Sequence, residues 1–259
     1  MKLATQSWGE VGRPLAVLVH GLTGSSRSWW RVGPWFAANG WHALGMDLRG
    51  HGASPRMQDV EELRDLAADV RETVTDLLGS EARVDVLLGH SLGALTAMKL
   101  CGDHPDFASR LVLEDPPSGG NDPDETAREV EQSAARARED PLALSREMLS
   151  ENPYWAEEDA ENSVAGLRDC DAGALASFRR SGLRWDLAAL VDSVRVPALL
   201  LLGNEDRGSA LPGNERAAVA SALRQGSIEE LEAGHNVHRD DFEGYVRVLG
   251  AWLGEPRAN

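Results

Sequence analysis

The stretch VDVLLGHSLGALTAMKL, residues 84–100, decides the fold of this chain. It opens with the apolar residues of a short buried strand, passes through Gly-His-Ser-Leu-Gly, and continues with the apolar spacing of a helix. Ser91 stands where the strand gives way to the helix, with Gly89 and Gly93 on either side. In such a G-x-S-x-G turn the serine is strained and its hydroxyl is raised above the sheet. The pattern predicts a nucleophile at Ser91, with an ordinary glycine-rich turn as the alternative.

Charge and composition limit the classes of partner. The chain has 259 residues, 42 of them acidic and 26 basic, for a formal net charge of −16. This excess of acid disfavours nucleic acid and anionic membranes as partners and favours a small-molecule substrate. No run of signal-peptide or transmembrane length occurs, so we expect a cytoplasmic protein. The sequence leaves monomer and dimer equally open.

Cofactor and metal motifs are missing from the sequence. There is no G-x-G-x-x-G, no P-loop and no H-E-x-x-H, so we expect neither a cofactor nor a metal. The two cysteines, Cys101 and Cys170, lie far apart without metal-type spacing. A disulfide framework is not expected, although a single bridge between them stays open.

Strand and helix patterns alternate along most of the chain. Buried strands are predicted at 14–21, 41–47, 84–88, 110–117, 197–206 and 227–236. Helices are predicted at 28–40, 59–78, 91–102, 212–224 and 239–253. This alternation predicts an α/β fold whose mostly parallel sheet is flanked by helices on both faces.

One long segment breaks the alternation. Residues 118–183 show only helical, acidic, Ala- and Arg-rich sequence between two predicted strands. We interpret them as a helical lid, or cap, inserted into a core formed by residues 1–117 and 184–259. Ordinary crossover helices are the alternative for a segment of this length.

A nucleophilic serine needs a general base. His235, in the sequence EAGHN, follows a predicted strand and precedes the last helix. Reactive groups of an open α/β sheet lie in the loops after the carboxyl ends of its strands, so His235 is expected to share an edge with Ser91. His238 is a weaker candidate, and His90 is expected to face the wrong way.

The base in turn needs an acid that orients it. Asp206 follows the strand PALLLLG and falls between serine and histidine in chain order, as the order Ser…Asp…His expects. Asp115 and its neighbour Glu114 also follow a strand and remain the alternative.

Two further sets of residues complete the expected site. The backbone N–H groups of Leu92 and Leu22, with Thr23 next in preference, are expected to bind the developing oxyanion. An apolar substrate pocket beneath the lid is predicted, although each of its tryptophans is individually more typical of a core. The candidates are Trp29, Trp30, Trp155 and Trp185.

These motifs resemble those of the α/β-hydrolase superfamily. They are HGLTGSS (20–26), DLRGHGAS (47–54), GHSLG (89–93), LLGNED (201–206) and AGHN (233–236), in the family's order and approximate spacing. The chain looks most similar to the lid-bearing branch of serine esterases and C–C hydrolases. That resemblance implies a triad of Ser91, Asp206 and His235. The acidic sequence LEDPP, at the end of the strand predicted at 110–117, departs from the family's pattern and keeps Asp115 and Glu114 open as alternative acids.

The resemblance also implies an activity. We expect a cofactor-free serine hydrolase that cleaves an ester or lactone of a small or medium apolar substrate through an acyl-enzyme. C–C bond hydrolysis, thioester hydrolysis and perhydrolysis are alternatives on the same scaffold. A non-catalytic ligand-binding protein is a further alternative, because one fold hosts many functions.

Overall fold

A seven-stranded sheet forms the centre of the computed structural model, which describes residues 1–57, 62–79, 83–120, 122–181 and 185–254. The spatial order is β1-β3-β2-β4-β5-β6-β7. The strands are β1 (Thr5–Trp8), β2 (Leu15–Val19), β3 (His42–Met46), β4 (Val86–His90), β5 (Leu111–Glu114), β6 (Ala198–Gly203) and β7 (Gly226–Leu231).

All neighbouring strands pair in parallel except β1, which pairs with β3 antiparallel. Every residue of β2 to β6 is buried, as expected for a parallel sheet that is covered on both faces. The edge strand β1 was not predicted. Its sequence, TQSW, is exposed and carries no apolar alternation from which a strand could be recognised.

Helices cover both faces of the sheet. They are α1 (Val32–Ala38), α2 (Leu63–Leu78), α3 (Leu92–Asp103), α4 (Pro123–Glu139), α5 (Pro141–Glu151), α6 (Glu157–Asp169), α7 (Ala172–Arg180), α8 (Leu187–Ser193), α9 (Gly213–Ala222), α10 (Val237–Asp240) and α11 (Phe242–Leu253). One buried cluster packs α2, α3, α8 and α9 on one face, and a second packs α1, α10 and α11 on the other. The predicted fold class is therefore confirmed. None of the described helices has the length and apolarity needed to cross a membrane.

Element ends differ from the predictions where loops carry functional groups. The strand predicted at 227–236 ends at Leu231, which leaves 232–236 as a loop. The strand predicted at 197–206 ends at Gly203, and a 3₁₀ turn follows it. The helix predicted at 59–78 is observed from Leu63, and the part of it at 59–61 lies outside the described residues.

Five of the described helices, α4 to α8, lie between β5 and β6. The first four of them, α4 to α7, form residues 123–180, which we call the helical insertion. They bury a small apolar cluster of their own that contains Ala137, Leu144, Val164 and Leu167. Positions 121, 182 and 183 of the predicted lid lie outside the described residues. The insertion's role as a lid, and its division from the core as a domain, stay predictions.

The two cysteines are free thiols buried in separate elements. Cys101 lies in α3, and Cys170 follows α6. Burial raises the pKa of the Cys101 thiol to about 12 and that of the Cys170 thiol to about 11. Because a thiolate is the reactive form, neither side chain is a nucleophile near neutral pH.

Candidate active site

The turn that holds Ser91 requires glycine on both sides. Ser91 connects β4 to α3 with φ 53° and ψ −117°, a backbone conformation that L residues rarely adopt. A Cβ atom at Gly89 would lie 2.2 Å from the carbonyl oxygen of Gly93, and one at Gly93 would lie 2.1 Å from that of Val19. A side chain at Gly89 would therefore force α3 away from β4, and a side chain at Gly93 would force α3 away from β2.

A hydrogen-bonded chain of three side chains runs from Ser91. The Oγ of Ser91 lies 3.0 Å from Nε2 of His235, and Nδ1 of His235 lies 2.7 Å from Oδ2 of Asp115. The carboxylate of Asp115 accepts a hydrogen bond from Nδ1–H of His235, and this tautomer leaves Nε2 free to accept a proton from the serine. The structure thus brings Ser91 and His235 together, as the sequence predicts.

Asp115 is held in place from several directions. It follows β5 with a φ of 39° and is fully buried. Besides His235, its carboxylate accepts hydrogen bonds from the N–H of Gly203, the hydroxyl of Ser209 and the N–H of Ala210. Burial by itself raises the pKa of this carboxyl, but the bonds from His235, Ser209 and Ala210 outweigh it and hold the pKa below its usual value. Asp115 is therefore ionised at neutral pH.

The prediction that Asp206 orients His235 is wrong. Asp206 lies in the exposed 3₁₀ turn Glu205–Arg207, where its N–H donates to the side chain of Asn204. The chain then folds back so that Ser209 and Ala210, rather than Asp206, reach inward and bind Asp115. The alternative acid of the sequence interpretation occupies the position against His235.

A second chain of side chains lies beside the first. Glu114 accepts hydrogen bonds on Oε1 from both the backbone N–H and Nδ1 of His238, the latter at 2.7 Å, and therefore does not serve His235. Nε2 of His238 then accepts a 3.2 Å bond from Nε of Arg239. Burial raises the pKa of Glu114, and burial lowers the pKa of His238 to about 3. A neutral imidazole thus joins the carboxyl group to the guanidinium.

The two residues predicted to supply oxyanion donors line the same cavity as Ser91. The N–H groups of Leu22 and Leu92 donate to no other atom of the described residues, and both residues line the cavity. Since Leu92 begins a helix of 12 residues, its N–H has no partner within that helix. The loop of Leu22 comes close to the serine because Gly21 has no side chain. A Cβ there would lie 3.1 Å from the Cβ of Ser91.

Hydrogen bonds to Gly21 set the direction of the Leu22 N–H. The carbonyl oxygen of Gly21 accepts from Nδ1 of His20 at 2.7 Å and from the N–H of Gly24 at 3.1 Å. In a planar trans peptide the next N–H points opposite to this carbonyl. His20 is in turn fixed, because its Nε2 accepts a bond from the N–H of Leu48. The HGLTG motif is thus a scaffold for one backbone donor.

A cavity of about 490 Å³ opens beside Ser91. Its walls include the Leu22 loop and side chains of α4 to α7, so the helical insertion contributes one side of it. Of the four tryptophans predicted to line a pocket, Trp155 and Trp185 do so. Trp29 is instead buried in the core, and Trp30 donates from Nε1 to Asp159 of α6. Among the described residues no group of three or more potential ligands could hold a metal ion.

A family model described as serine aminopeptidase S33 matches residues 12–241. The chain belongs to this family of α/β-hydrolases. Its membership and its fold together make it a hydrolase of that superfamily. The suspected resemblance is confirmed at the level of the superfamily.

Relatives and solved structures span nearly the whole chain. A 2-succinyl-6-hydroxy-2,4-cyclohexadiene-1-carboxylate synthase from Klebsiella pneumoniae is 31% identical over 95% of this chain and 96% of that protein. The N-formylmaleamic acid deformylase from Pseudomonas putida superposes with a TM-score of 0.77 at 24% identity, over 95% of this chain and 94% of that one. An enol-lactonase from Burkholderia xenovorans superposes with a TM-score of 0.73 at 22% identity, over 97% of this chain and 96% of that one. The two structures share the fold with this hydrolase.

Two arginines of the cavity were not predicted. Arg179 of α7 and Arg239 of α10 are buried and line the cavity. Nothing local in the sequence distinguishes Arg179 from the many other arginines of the chain. For Arg239 the one local signal is the sequence HNVHR, which places it four residues after His235.

Proposed function

We propose that this hydrolase cleaves carboxylic esters or lactones through an acyl-enzyme formed on Ser91. The observation that carries the proposal is the hydrogen-bonded chain from Ser91 through His235 to the buried Asp115. An ionised carboxylate on Nδ1 fixes the tautomer in which Nε2 accepts a proton. The serine hydroxyl is thereby activated without a metal or cofactor in the step.

Both halves of the proposed cycle use the same two side chains, those of Ser91 and His235. His235 Nε2 takes the proton of Ser91 as Oγ attacks the substrate carbonyl, and it gives that proton to the leaving alcohol. The ester bond breaks, and the acyl group remains on Ser91. Water attacks the acyl-enzyme with His235 again as base, the acid is released and Ser91 regains its proton. Asp115 stabilises the imidazolium that forms in both halves of the cycle.

Leu22 and Leu92 are proposed to supply the oxyanion hole. Both residues line the cavity, and their backbone N–H groups have no acceptor among the described residues. Such donors stabilise charge that develops on the carbonyl oxygen in the transition state. Loss of one donor of this kind typically costs about 3–4 kcal/mol of transition-state stabilisation.

The charges of the cavity argue against a peptide substrate with a free amino terminus, which the family's description suggests. Among the described lining residues, the buried charged side chains other than histidine are Arg179 and Arg239. The lining carboxylate of Glu129 is exposed. A positively charged amino terminus would meet the buried guanidinium of Arg239, whose like charge repels it.

A synthase activity like that named for the curated relatives is the second candidate. It is favoured by the 31% identity over 95% of the chain. Both candidates place Ser91 and His235 at the reacting centre. A direct assay for the product named in those relatives, run beside a screen of aryl esters, lactones and thioesters, separates the two.

Labelling with a fluorophosphonate probe tests the proposal, because the probe reacts with an activated serine. We expect labelling of the wild type and none of Ser91→Ala, with turnover reduced on the order of 10⁶-fold. Ser221→Ala, on the exposed face of α9, is the matched control and should label fully. A folded wild type that takes no label would exclude the acyl-enzyme route and favour a binding protein.

A further inference from the structure

Arg239 lies in the cavity with an unusual set of partners. It is 7% exposed, and its three hydrogen bonds go to Nε2 of His238, Oγ of Ser163 and Oγ of Ser28. None of these acceptors carries a negative charge, and no carboxylate of the described residues forms an ion pair with Arg239. A buried guanidinium normally has a carboxylate or another anion as its partner.

The nearby carboxylates are already engaged elsewhere. Asp159 accepts bonds from Trp30 Nε1 and from the backbone N–H of Ala156. Asp240 accepts from Trp155 Nε1 and from the backbone N–H of Gly234. Each stabilises the charge of Arg239 only at longer range. Burial lowers the pKa of the Arg239 guanidinium, and these carboxylates offset that effect in part.

The guanidinium is also held rigidly. Bonds to Ser28 of the core and Ser163 of the insertion fix its two terminal nitrogens, and the ring of Trp155 lies 5.0 Å from its Cζ. A guanidinium has five N–H donors, so about two remain for a ligand. A preorganised fork of this kind binds a carboxylate with little further loss of entropy.

We propose that Arg239 binds a carboxylate of the substrate, so that the ester or lactone cleaved at Ser91 also carries a free acid group. The inference rests on the proposed function and adds the chemical class of its substrate. Glu114 and His238 act as positioning residues, since they hold Nε of Arg239 and thereby turn its remaining donors to the cavity. The bound carboxylate supplies the anion that the buried guanidinium lacks.

A pair of matched esters tests this assignment. The first is the para-nitrophenyl monoester of adipic acid, whose second carboxylate is free, and in the second an isopropyl group replaces that carboxylate. We measure kcat/KM for both and take the ratio of charged to neutral ester. Arg239→Met should lower this ratio about 10- to 100-fold, as expected for a hydrogen bond to a charged group. Arg239→Lys should restore part of it, because the charge returns without the fork.

Arg31→Met is the matched control. Arg31 also stacks on an aromatic ring, with its Cζ 3.8 Å from the ring of Phe242, but it does not line the cavity. Its substitution should leave the ratio unchanged. If Arg239→Met lowers both esters equally, Arg239 is a structural link between core and insertion, and the proposal is overturned.

A binding measurement separates this proposal from the proposed function. Adipate itself is titrated into Ser91→Ala, and into the same variant with Arg239→Met, by calorimetry at millimolar concentrations. Binding that depends on Arg239 supports the carboxylate site even if neither ester is hydrolysed. Absence of adipate binding to the folded Ser91→Ala variant overturns the carboxylate site, whereas absence of fluorophosphonate labelling overturns only the acyl-enzyme.

Discussion

Asp115 and His235 are separated by 120 residues and joined by a 2.7 Å hydrogen bond between Oδ2 and Nδ1. The bond passes over the end of one strand, since Asp115 follows β5 and His235 follows β7 with β6 between them. The loop after β6 therefore passes close to the bond. It contributes Ser209 and Ala210, which bind the carboxylate, while Asp206 of the same loop faces solvent.

The role of Asp115 gives the first prediction. Asp115→Asn keeps the shape of the side chain but removes the acceptor that fixes the histidine tautomer, so kcat should fall by about 10⁴, as in a well-studied serine protease. Asp206→Asn is the matched control at an exposed position and should change kcat by no more than about twofold. Steady-state kinetics on one aryl ester, with folding checked by circular dichroism, measures both.

The opposite ranking would contradict this arrangement. If Asp206→Asn lowered kcat by about 10⁴ while Asp115→Asn kept nearly full activity, the functional acid would lie in the loop after β6. That result would require the loop to leave its observed conformation, in which Asp206 lies exposed in the 3₁₀ turn Glu205–Arg207.

The sequence predicts the G-x-S-x-G turn around Ser91 well, because the constraints on this turn are local. Gly89, Ser91 and Gly93 are needed by a single strand-to-helix turn, and each glycine avoids a contact of about 2 Å that any Cβ would make. His235 follows from the same kind of argument, since it stands in a short loop at the carboxyl end of a strand. Alternation of apolar runs likewise predicted the parallel sheet.

The acid could not be chosen from the sequence because the choice depends on distant contacts. Asp115 and Asp206 both follow strands, so position along the chain does not separate them. The difference lies in the positive φ of Asp115 and in the donors that Ser209 and Ala210 bring from another loop. The same limit applied to the tryptophans, because only the packing of the insertion decides which of them face the cavity.

The second prediction concerns the packing contact between α6 of the helical insertion and the loop that contains Thr23. A Cβ at Gly166 of α6 would lie 2.5 Å from the carbonyl oxygen of Thr23, in the loop that carries the Leu22 donor. Gly166→Ala should therefore destabilise the protein by about 1–3 kcal/mol, as overpacking against backbone does, and should lower kcat by displacing the loop. Urea unfolding and ester kinetics measure the two effects.

Gly173→Ala provides the comparison. Gly173 lies in α7, and a Cβ there meets nothing within 4 Å. Helix propensity alone then makes the change neutral or stabilising by up to about 1 kcal/mol. Equal stabilisation by both substitutions would show that α6 does not rest on the Thr23 loop.

The third prediction is a loss of stability in acid that begins near pH 6.5. Burial lowers the pKa of His20, His90 and His238 from 6.5 to about 3 in each case. Between these values the unfolded chain binds protons that the folded protein excludes. The free energy of unfolding should therefore be highest above pH 6.5 and fall towards pH 3, by up to about 1.4 kcal/mol per pH unit for each histidine.

The buried carboxyl group of Glu114 changes the free energy of unfolding with pH in the opposite direction. Burial raises the pKa of Glu114 above 4.5, so the folded protein binds its proton more readily than the unfolded chain. Its contribution stabilises the protein as the pH falls from the raised value towards 4.5. A single carboxyl opposes three histidines, so the net slope should still be a loss of stability in acid.

His90→Gln tests this balance. Nε2 of His90 donates a 2.9 Å bond to the carbonyl oxygen of His235, and the amide of glutamine has an N–H donor to replace it. The variant should fold, and its stability between pH 6.5 and 3 should fall less steeply than that of the wild type, by about one proton or 1.4 kcal/mol per pH unit. Urea unfolding at a series of pH values gives both slopes. Identical slopes would mean that His90 is protonated in the folded protein at mildly acidic pH, in spite of its burial beside the cavity.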